Sequence, residues 1–110
     1  MLRKEELPAC PVATTVNLIG NKWKLLILRN LFARPYRFNE LKNSLEGRSQ
    51  KVLTENLKGL ISDKIIERIE YDEKILNTEY RLTELGESMQ PIMNALAVWG
   101  NDYKQKIKAV

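Results

Sequence analysis

One short stretch of the chain carries polar side chains that could contact a nucleic acid. Within QKVLTENLK, the long or hydrogen-bonding polar residues are Gln50, Lys51, Thr54, Glu55 and Lys58. If the stretch is helical, they lie on its outward side, because the leucines between them occupy the inward side. Amide, hydroxyl and ammonium groups on such a helix can reach base edges or phosphates in a DNA major groove. An ordinary surface helix shows the same polar face.

The flanking residues predict two short helices around this polar face. Apolar residues recur at helical spacing in two runs: Phe38, Leu41 and Leu45, then Leu53, Leu57, Leu60 and Ile61. The segment Glu46–Arg48 breaks the pattern, and Ser49 can cap the second helix. Two helices joined by a three-residue turn with a glycine are typical of a helix-turn-helix, here expected over residues 38–62. A plain helical hairpin remains the alternative.

The residue inventory argues against catalysis. The chain has no His and one cysteine, Cys10, which excludes an intrachain disulfide and a Cys/His zinc site within one chain. Ser-His and Cys-His nucleophile pairs are excluded as well. Carboxylate or Lys chemistry is not excluded, but no spacing suggests it, and no Gly-rich phosphate loop is present. We therefore expect no enzyme, no metal and no cofactor.

Basic residues concentrate in one third of the chain. Between residues 22 and 51, eight Lys or Arg stand against two Glu, a local charge of +6. Since the whole chain carries +4, the remainder carries −2. A basic patch around the helix-turn-helix suits a phosphate backbone. The alternative is an ordinary solvated surface, because Lys22, Lys24 and Arg29 lie upstream and can point elsewhere.

The length and the first half of the chain indicate one small α-helical core. At 110 residues there is room for one domain. Residues 1–9 are expected to be a loose arm without an apolar signal core, and no apolar run could span a membrane, so a cytoplasmic protein is expected. Helices are predicted from Pro11 to Gly20 and from Lys22 to Phe32. Trp23 is expected to anchor the core rather than bind a ligand.

Residues 65–82 predict a β-hairpin. Ile65–Tyr71 is rich in β-branched residues, and Thr78–Leu82 alternates apolar with polar residues. The loop between them offers Lys74 and Asn77 to DNA, but its acidic residues oppose close contact, so we expect a weak phosphate contact. A helix-turn-helix followed by such a hairpin is a winged helix.

The last predicted element is one long helix over residues 84–107, capped by Thr83 and bent by Pro91. Its apolar residues recur at steps of three and four for about six turns, a broader stripe than one side of a small domain can cover. We expect this helix to form a symmetric homodimer. The alternative is a helix folded back on its own core.

Four segments together resemble the HxlR family of bacterial winged-helix transcription regulators. They are CPV, LIGNKWKLLILRNL, YRFNELKNSLEGRSQKVLTENLKGL and EYRLTELGESMQP, and the similarity extends from Cys10 to Tyr103. The resemblance implies a mainly α fold with a small β-hairpin, dimerising through its terminal helices on a near-palindromic operator. It places the recognition helix at Ser49–Lys58. The wing sequence DEKILNT departs from the family pattern, which often has prolines and an Arg there.

The resemblance also concerns Cys10, because some family members sense electrophiles or oxidants through a cysteine at this position. Cys10 immediately precedes Pro11, and a helix N-terminus favours the reactive thiolate. A lone cysteine would respond by joining the partner's Cys10, a small thiol or an electrophile. The alternative is that Cys10 simply packs at the start of the helix.

The predicted interface with double-stranded DNA combines ten residues: Arg37, Asn39, Arg48, Ser49, Gln50, Lys51, Thr54, Lys58, Lys74 and Asn77. Gln50, Lys51 and Thr54 are expected at base edges, and Lys58 at the backbone. The Ser49 hydroxyl and nearby free N–H groups are expected to hold a phosphate. The competing hypothesis is a protein-interaction module on the same scaffold. Steep salt dependence of DNA affinity would separate the two.

Overall fold

The computed structural model describes residues 6–45, 49–71 and 78–108. In chain order the elements are α1 (Pro11–Ile19), α2 (Lys22–Ala33), β1 (Tyr36–Arg37), α3 (Phe38–Ser44), α4 (Gln50–Ser62), β2 (Ile66–Glu70), β3 (Thr78–Leu82), α5 (Glu84–Glu87) and α6 (Gln90–Lys108). The helix-turn-helix is α3 and α4, and the hairpin of β2 and β3 follows it directly, so the predicted winged helix-turn-helix fold is confirmed.

Local sequence signals set the helix starts. Pro11 begins α1, where its missing N–H costs nothing. Asn21 caps α2 by accepting from the Lys24 N–H at 2.9 Å, and Ser49 caps α4 by accepting from the Val52 N–H at 3.1 Å. The capping role predicted for Ser49 is therefore confirmed.

The segment before α1 is in contact with the helix where it is described. Leu7 and Pro8 are half-buried, and the Thr14 hydroxyl donates to the Pro8 carbonyl at 3.2 Å. Of the predicted loose arm, Leu7 and Pro8 thus lie against α1, and residues 1–5 lie outside the described residues.

The core lies where α2, α3, α4 and the sheet meet. Its fully buried members are Ile27, Leu28, Leu41, Leu53, Leu60 and Ile66. The predicted inner stripe of the helix-turn-helix is largely buried, while Ile61 and Phe38 are half-buried at its edge. Trp23, predicted as a core anchor, is half-buried, and the Lys22 ammonium lies 4.9 Å from its ring centre.

The sheet has three antiparallel strands in the order β1-β3-β2. The sequence predicted its hairpin, but the segment at Tyr36 and Arg37, expected as an extended connection, pairs with β3 and adds the third strand. In the β2–β3 register Ile66 faces Leu82 and Arg68 faces Tyr80. Because side chains alternate across a strand, these residues share one face of the sheet.

The prediction of one continuous helix over residues 84–107 is wrong, because two helices occupy this segment. Thr83 caps α5, which ends at Glu87, and a turn at Ser88 and Met89 separates it from α6. Pro91 has no N–H to donate to the Glu87 carbonyl and its ring would crowd that carbonyl. A proline is tolerated in the first turn of a new helix, so the chain restarts as α6 rather than bending.

A compact junction joins α4 to β2 and α5. The Ile65 N–H donates to Leu60 O and the Lys64 N–H to Ile61 O, with Lys64 in the left-handed region at φ 62°. These bonds form the Schellman motif that ends a helix. The Thr83 hydroxyl donates to the carbonyls of Lys64 and Ile65 and accepts from the Gly86 N–H. The junction thereby fixes the end of α4 against the start of α5.

The helix α6 leaves one apolar side uncovered. Large side chains at steps of three and four along it are 39–68% exposed: Ile92, Leu96, Trp99, Tyr103 and Ile107. The rings of Trp99 and Tyr103 stack with centroids 5.3 Å apart. Within the described residues the helix is not folded back on its own core, which was the alternative. None of the described helices combines the length and apolarity needed to span a membrane.

Candidate nucleic-acid interface

The predicted recognition helix forms one wall of an open groove of about 510 Å³. Gln50 and Thr54, one helical turn apart, point their side chains into it from α4. Gln50 is exposed, whereas Thr54 is half-buried because it lies closer to the sheet. An amide and a hydroxyl in the first two turns of a helix are thus presented together.

The second wall is the N-terminal end of α3. Arg37, Asn39 and Glu40 line it, with the ring of Phe38 between them. The Arg37 N–H donates to Glu40 Oε1 at 2.9 Å, and Arg34 lies 3.4 Å from the same oxygen. The Arg37 N–H, with help from the Arg34 guanidinium, holds the pKa of Glu40 below its ordinary value. Glu40 is therefore ionised at neutral pH and committed to holding the start of α3.

The sheet supplies the floor, which sequence reasoning missed. Arg68, Thr78 and Tyr80 reach the groove from β2 and β3. Alternation from Ile66 already put Arg68 on the Ile66 side of its strand, but only packing shows that this side faces α4. Arg68 pairs with Glu70 at 3.2 Å, and both side chains are about half exposed. Such a pair contributes little and can yield to a phosphate.

Thr78 is an unusual member of the floor. The residue is 8% exposed, and its hydroxyl oxygen is buried with no hydrogen-bond partner in the part of the chain that is described. Buried hydroxyls without a partner are costly. The floor of the groove therefore contains an uncompensated polar atom, buried beneath its surface, in addition to the half-exposed side chain of Arg68.

The structure divides the predicted polar face of α4 in two. Gln50 and Thr54 face the groove. Lys51, Glu55 and Lys58 are exposed and, at steps of four and three, form a separate ridge along the helix. Ser49 is exposed at the N-cap, but its hydroxyl already accepts from the Val52 N–H, so this oxygen is partly engaged.

Two polar links hold the helix-turn-helix against α2. The Asn21 side-chain amide donates to Asn56 of α4 at 3.0 Å. The buried Asn30 side-chain amide donates to the Ser44 hydroxyl at 2.7 Å, which itself donates to the Leu41 carbonyl at 2.8 Å. Because a satisfied buried polar group is costly to separate, the Asn30 link in particular holds α3 against α2, while the Asn21–Asn56 bond is exposed to solvent.

The upstream basic residues are partly engaged by their own neighbours. The guanidinium of Arg34 lies 3.7 Å from the Tyr36 ring centre, and that of Arg29 donates to Asn30. The Lys24 side chain lies against Gly59 of α4. In the groove itself, the described basic residues are Arg37 and Arg68.

Three predicted contacts lie outside the described residues: Arg48, Lys74 and Asn77. Cys10, the candidate redox sensor, is exposed and is the N-cap residue of α1, with no side-chain capping bond. The structure therefore brings Arg37, Asn39, Gln50 and Thr54 together, and leaves Lys51 and Lys58 on the adjoining ridge.

A family model of HxlR-like helix-turn-helix proteins matches residues 18–108. Among curated proteins, this chain is 36% identical over 103 residues to YdeP of Bacillus subtilis (strain 168), an uncharacterized helix-turn-helix-type transcriptional regulator. The match covers 94% of this chain and 80% of YdeP. A regulator of the same description in Methanothermobacter thermautotrophicus is 42% identical over 94 residues, covering 86% of this chain and 72% of the relative.

Solved structures agree with these relatives. The redox regulator HypR in its reduced form superposes with a TM-score of 0.85 at 31% identity, covering 92% of this chain and 100% of HypR. The reduced form of the transcriptional regulator YodB from B. subtilis gives a TM-score of 0.75 at 32% identity, covering 87% of this chain and 95% of YodB.

Proposed function

We propose that this chain binds a near-palindromic DNA operator as a homodimer. The chain belongs to the HxlR-like helix-turn-helix family of transcriptional regulators, and the proposal starts from that membership. The observation that carries the proposal is the groove between α3, α4 and the sheet. Gln50 and Thr54 meet there with Arg37 and Arg68, which combines groups able to read base edges with groups able to hold phosphates.

The arrangement suggests a division of labour. Gln50 and Thr54 stand in the first two turns of α4, where a helix entering the major groove meets base edges. Lys51 is exposed in the same turn and is assigned to base edges as well. Lys58 lies further along the exposed ridge and is assigned to the phosphate backbone, together with Arg37 and Arg68.

The homodimer is supported by the uncovered apolar side of α6. A broad exposed apolar stripe is unfavourable in water and marks an interaction surface. Val12 and Val16 of α1 are also 70% and 54% exposed, so both terminal helices offer apolar surface. Closed two-fold pairing is the commonest way to cover such a face, and it presents two recognition helices to a palindromic site.

Alanine at Gln50 or Thr54 is expected to reduce discrimination between a selected operator and a scrambled sequence. Each lost base contact should cost about 1–3 kcal/mol on the operator and little on the scrambled site. The measurement is fluorescence anisotropy with both DNAs, after an operator has been selected from a random pool. Lys58→Ala is the matched control on the same helix, expected to weaken both DNAs equally and to flatten the salt dependence.

If Gln50→Ala, Lys51→Ala and Thr54→Ala combined leave the ratio of the two affinities unchanged, α4 does not read the sequence. A protein-interaction module would then be the better hypothesis. Melting curves accompany each variant, since substitutions at the exposed Gln50 and Lys51 usually change stability by less than about 0.5 kcal/mol, whereas Thr54 is half-buried.

The proposed regulator responds to oxidants or electrophiles through Cys10. The thiol is exposed at the N-terminus of α1, and the similar protein HypR is a redox regulator. A quinone or mild peroxide is expected to change operator affinity of the unmodified chain and to leave Cys10→Ser unaffected. The adduct or intermolecular disulfide should appear by intact-mass measurement. An equal response in Cys10→Ser would remove this residue from the mechanism.

A further inference from the structure

A second concave site, separate from the groove, lies beside the terminal helices. This cavity, of about 250 Å³, is enclosed by α1, the junction after α4, and the α5–α6 turn. Ile65 and Met89 are its most buried members, at 3% and 7% exposure, while Leu85 and Ile92 stand at its open side. Leu7, from the segment before α1, also lines it.

The size of the cavity limits what it can hold. Protein interiors are close-packed, so a cavity of this size is a substantial gap. An apolar cavity of about 150 Å³ is enough to bind benzene, and by proportion this one fits about ten non-hydrogen atoms. It is too small for a partner helix, whose diameter is about 10 Å. Of the exposed stripe on α6, Ile92 lines the cavity, whereas the members from Leu96 to Ile107 are not among the described lining.

The polar groups around the cavity favour a cation. The hydroxyls of Thr14, Thr15 and Ser88 already donate to backbone carbonyls of their own segments. The other polar residues in the described lining are Asn17 and Asp63, and Asp63 is the charged one. Asp63 is a half-buried residue at the C-cap of α4. An ammonium group would be attracted to its carboxylate, whereas a ligand carboxylate would be repelled.

We propose that this cavity is a regulatory site for a small, mainly apolar amine of about ten non-hydrogen atoms. Its apolar body would pack on Ile65, Met89 and Leu18, and its ammonium group would pair with Asp63. The lining joins the end of α4 to α1 and α6, so the occupant would fix the recognition helix relative to the pairing helices. This regulatory part rests on the proposed DNA-binding function, whereas binding itself does not.

Three probes that share a 4-methylphenyl body and are similar in size test the site by calorimetry on the full chain: 4-methylbenzylamine, 4-methylbenzyl alcohol and 4-methylbenzoate. The amine is expected to bind at least about tenfold more tightly than the alcohol, because both can donate a hydrogen bond to the Asp63 carboxylate but the ammonium group alone adds the attraction of opposite charges. The benzoate should give no saturable heat. Equal binding of the benzoate, or no saturable binding of the amine, overturns the proposal.

Two variants localise the binding. Asp63→Asn should bring the amine within about threefold of the alcohol, and removing a carboxylate from a helix C-terminus does not disfavour folding. Leu85→Trp should fill the open side of the cavity and abolish binding of both the amine and the alcohol. A melting curve confirms that this variant folds. An unchanged preference for the amine in Asp63→Asn would show that the probe binds elsewhere.

The proposed effect of the amine on DNA binding is tested separately, by measuring operator affinity. Saturating 4-methylbenzylamine is expected to change operator affinity of the unmodified chain and not of Asp63→Asn. Binding of the amine without any change in operator affinity would overturn regulation at this site. If the chain failed to select any DNA, the proposed function would fall while the calorimetric result for the cavity stood.

Discussion

Gly86→Ala is expected to destabilise the fold severely. A Cβ at Gly86 would overlap the carbonyl oxygen of Ile65 and lie 3.1 Å from its carbonyl carbon. That carbonyl cannot move freely, because it accepts from both the N–H and the hydroxyl of Thr83. Overpacking against fixed backbone should cost roughly 3 kcal/mol, which lowers the melting temperature by about 12–20 °C in a domain of this size.

Gly59→Ala is the matched control for this substitution. Gly59 is also helical, but a Cβ there would meet the flexible end of the Lys24 side chain at 3.2 Å. That side chain can swing away, and alanine is a better helix former than glycine by roughly 0.5–1 kcal/mol. Gly59→Ala should therefore melt at or above the temperature of the unmodified chain. A Gly86→Ala protein melting as high as Gly59→Ala would show that the junction is not tightly packed.

Leu96→Glu is expected to convert the proposed dimer into monomers. Leu96 is 49% exposed in the single chain, at the centre of the apolar stripe on α6. Pairing would take it out of water, and an unpaired carboxylate buried in that seam is costly. Sedimentation at micromolar concentration should show the unmodified chain as a dimer and Leu96→Glu as a monomer. Operator affinity should fall at least tenfold, because one recognition helix is lost from the complex.

The matched control on the same helix is Gln105→Glu. Gln105 is exposed, and nine residues after Leu96 it lies on the opposite side of α6. It adds the same charge without entering the stripe, so the protein should remain dimeric. A monomeric unmodified chain, or a dimer that survives Leu96→Glu, would contradict pairing through this face.

The sequence by itself determined most of the elements. Helix starts followed from local groups, as at Pro11 and Ser49, because a cap depends on residues within one turn. The inner stripe of the helix-turn-helix followed from the spacing of its leucines. Thr78–Leu82 followed from its alternation. In each case the physical cause lies within a few residues of the chain, so the pattern can be seen without the fold.

The groove could be predicted only in part. Gln50 and Thr54 were found because helical spacing places them on one outward face. Arg68 and Thr78 were missed, since the register of β2 against β3 decides which side of the sheet meets α4. The difference between the groove residues and the exposed ridge of Lys51 likewise depends on where the sheet packs.

Tertiary structure also decided how the C-terminal segment is built. Its sequence predicted one helix bent at Pro91, whereas the structure has two: α5, held against the end of α4 by the Thr83 hydroxyl, and α6, which begins at Gln90. The cavity beside Asp63 has the same origin, because its lining comes from segments far apart in the chain. Local spacing fixes which residues share a helix face, while packing between distant segments fixes which faces meet and where a space remains.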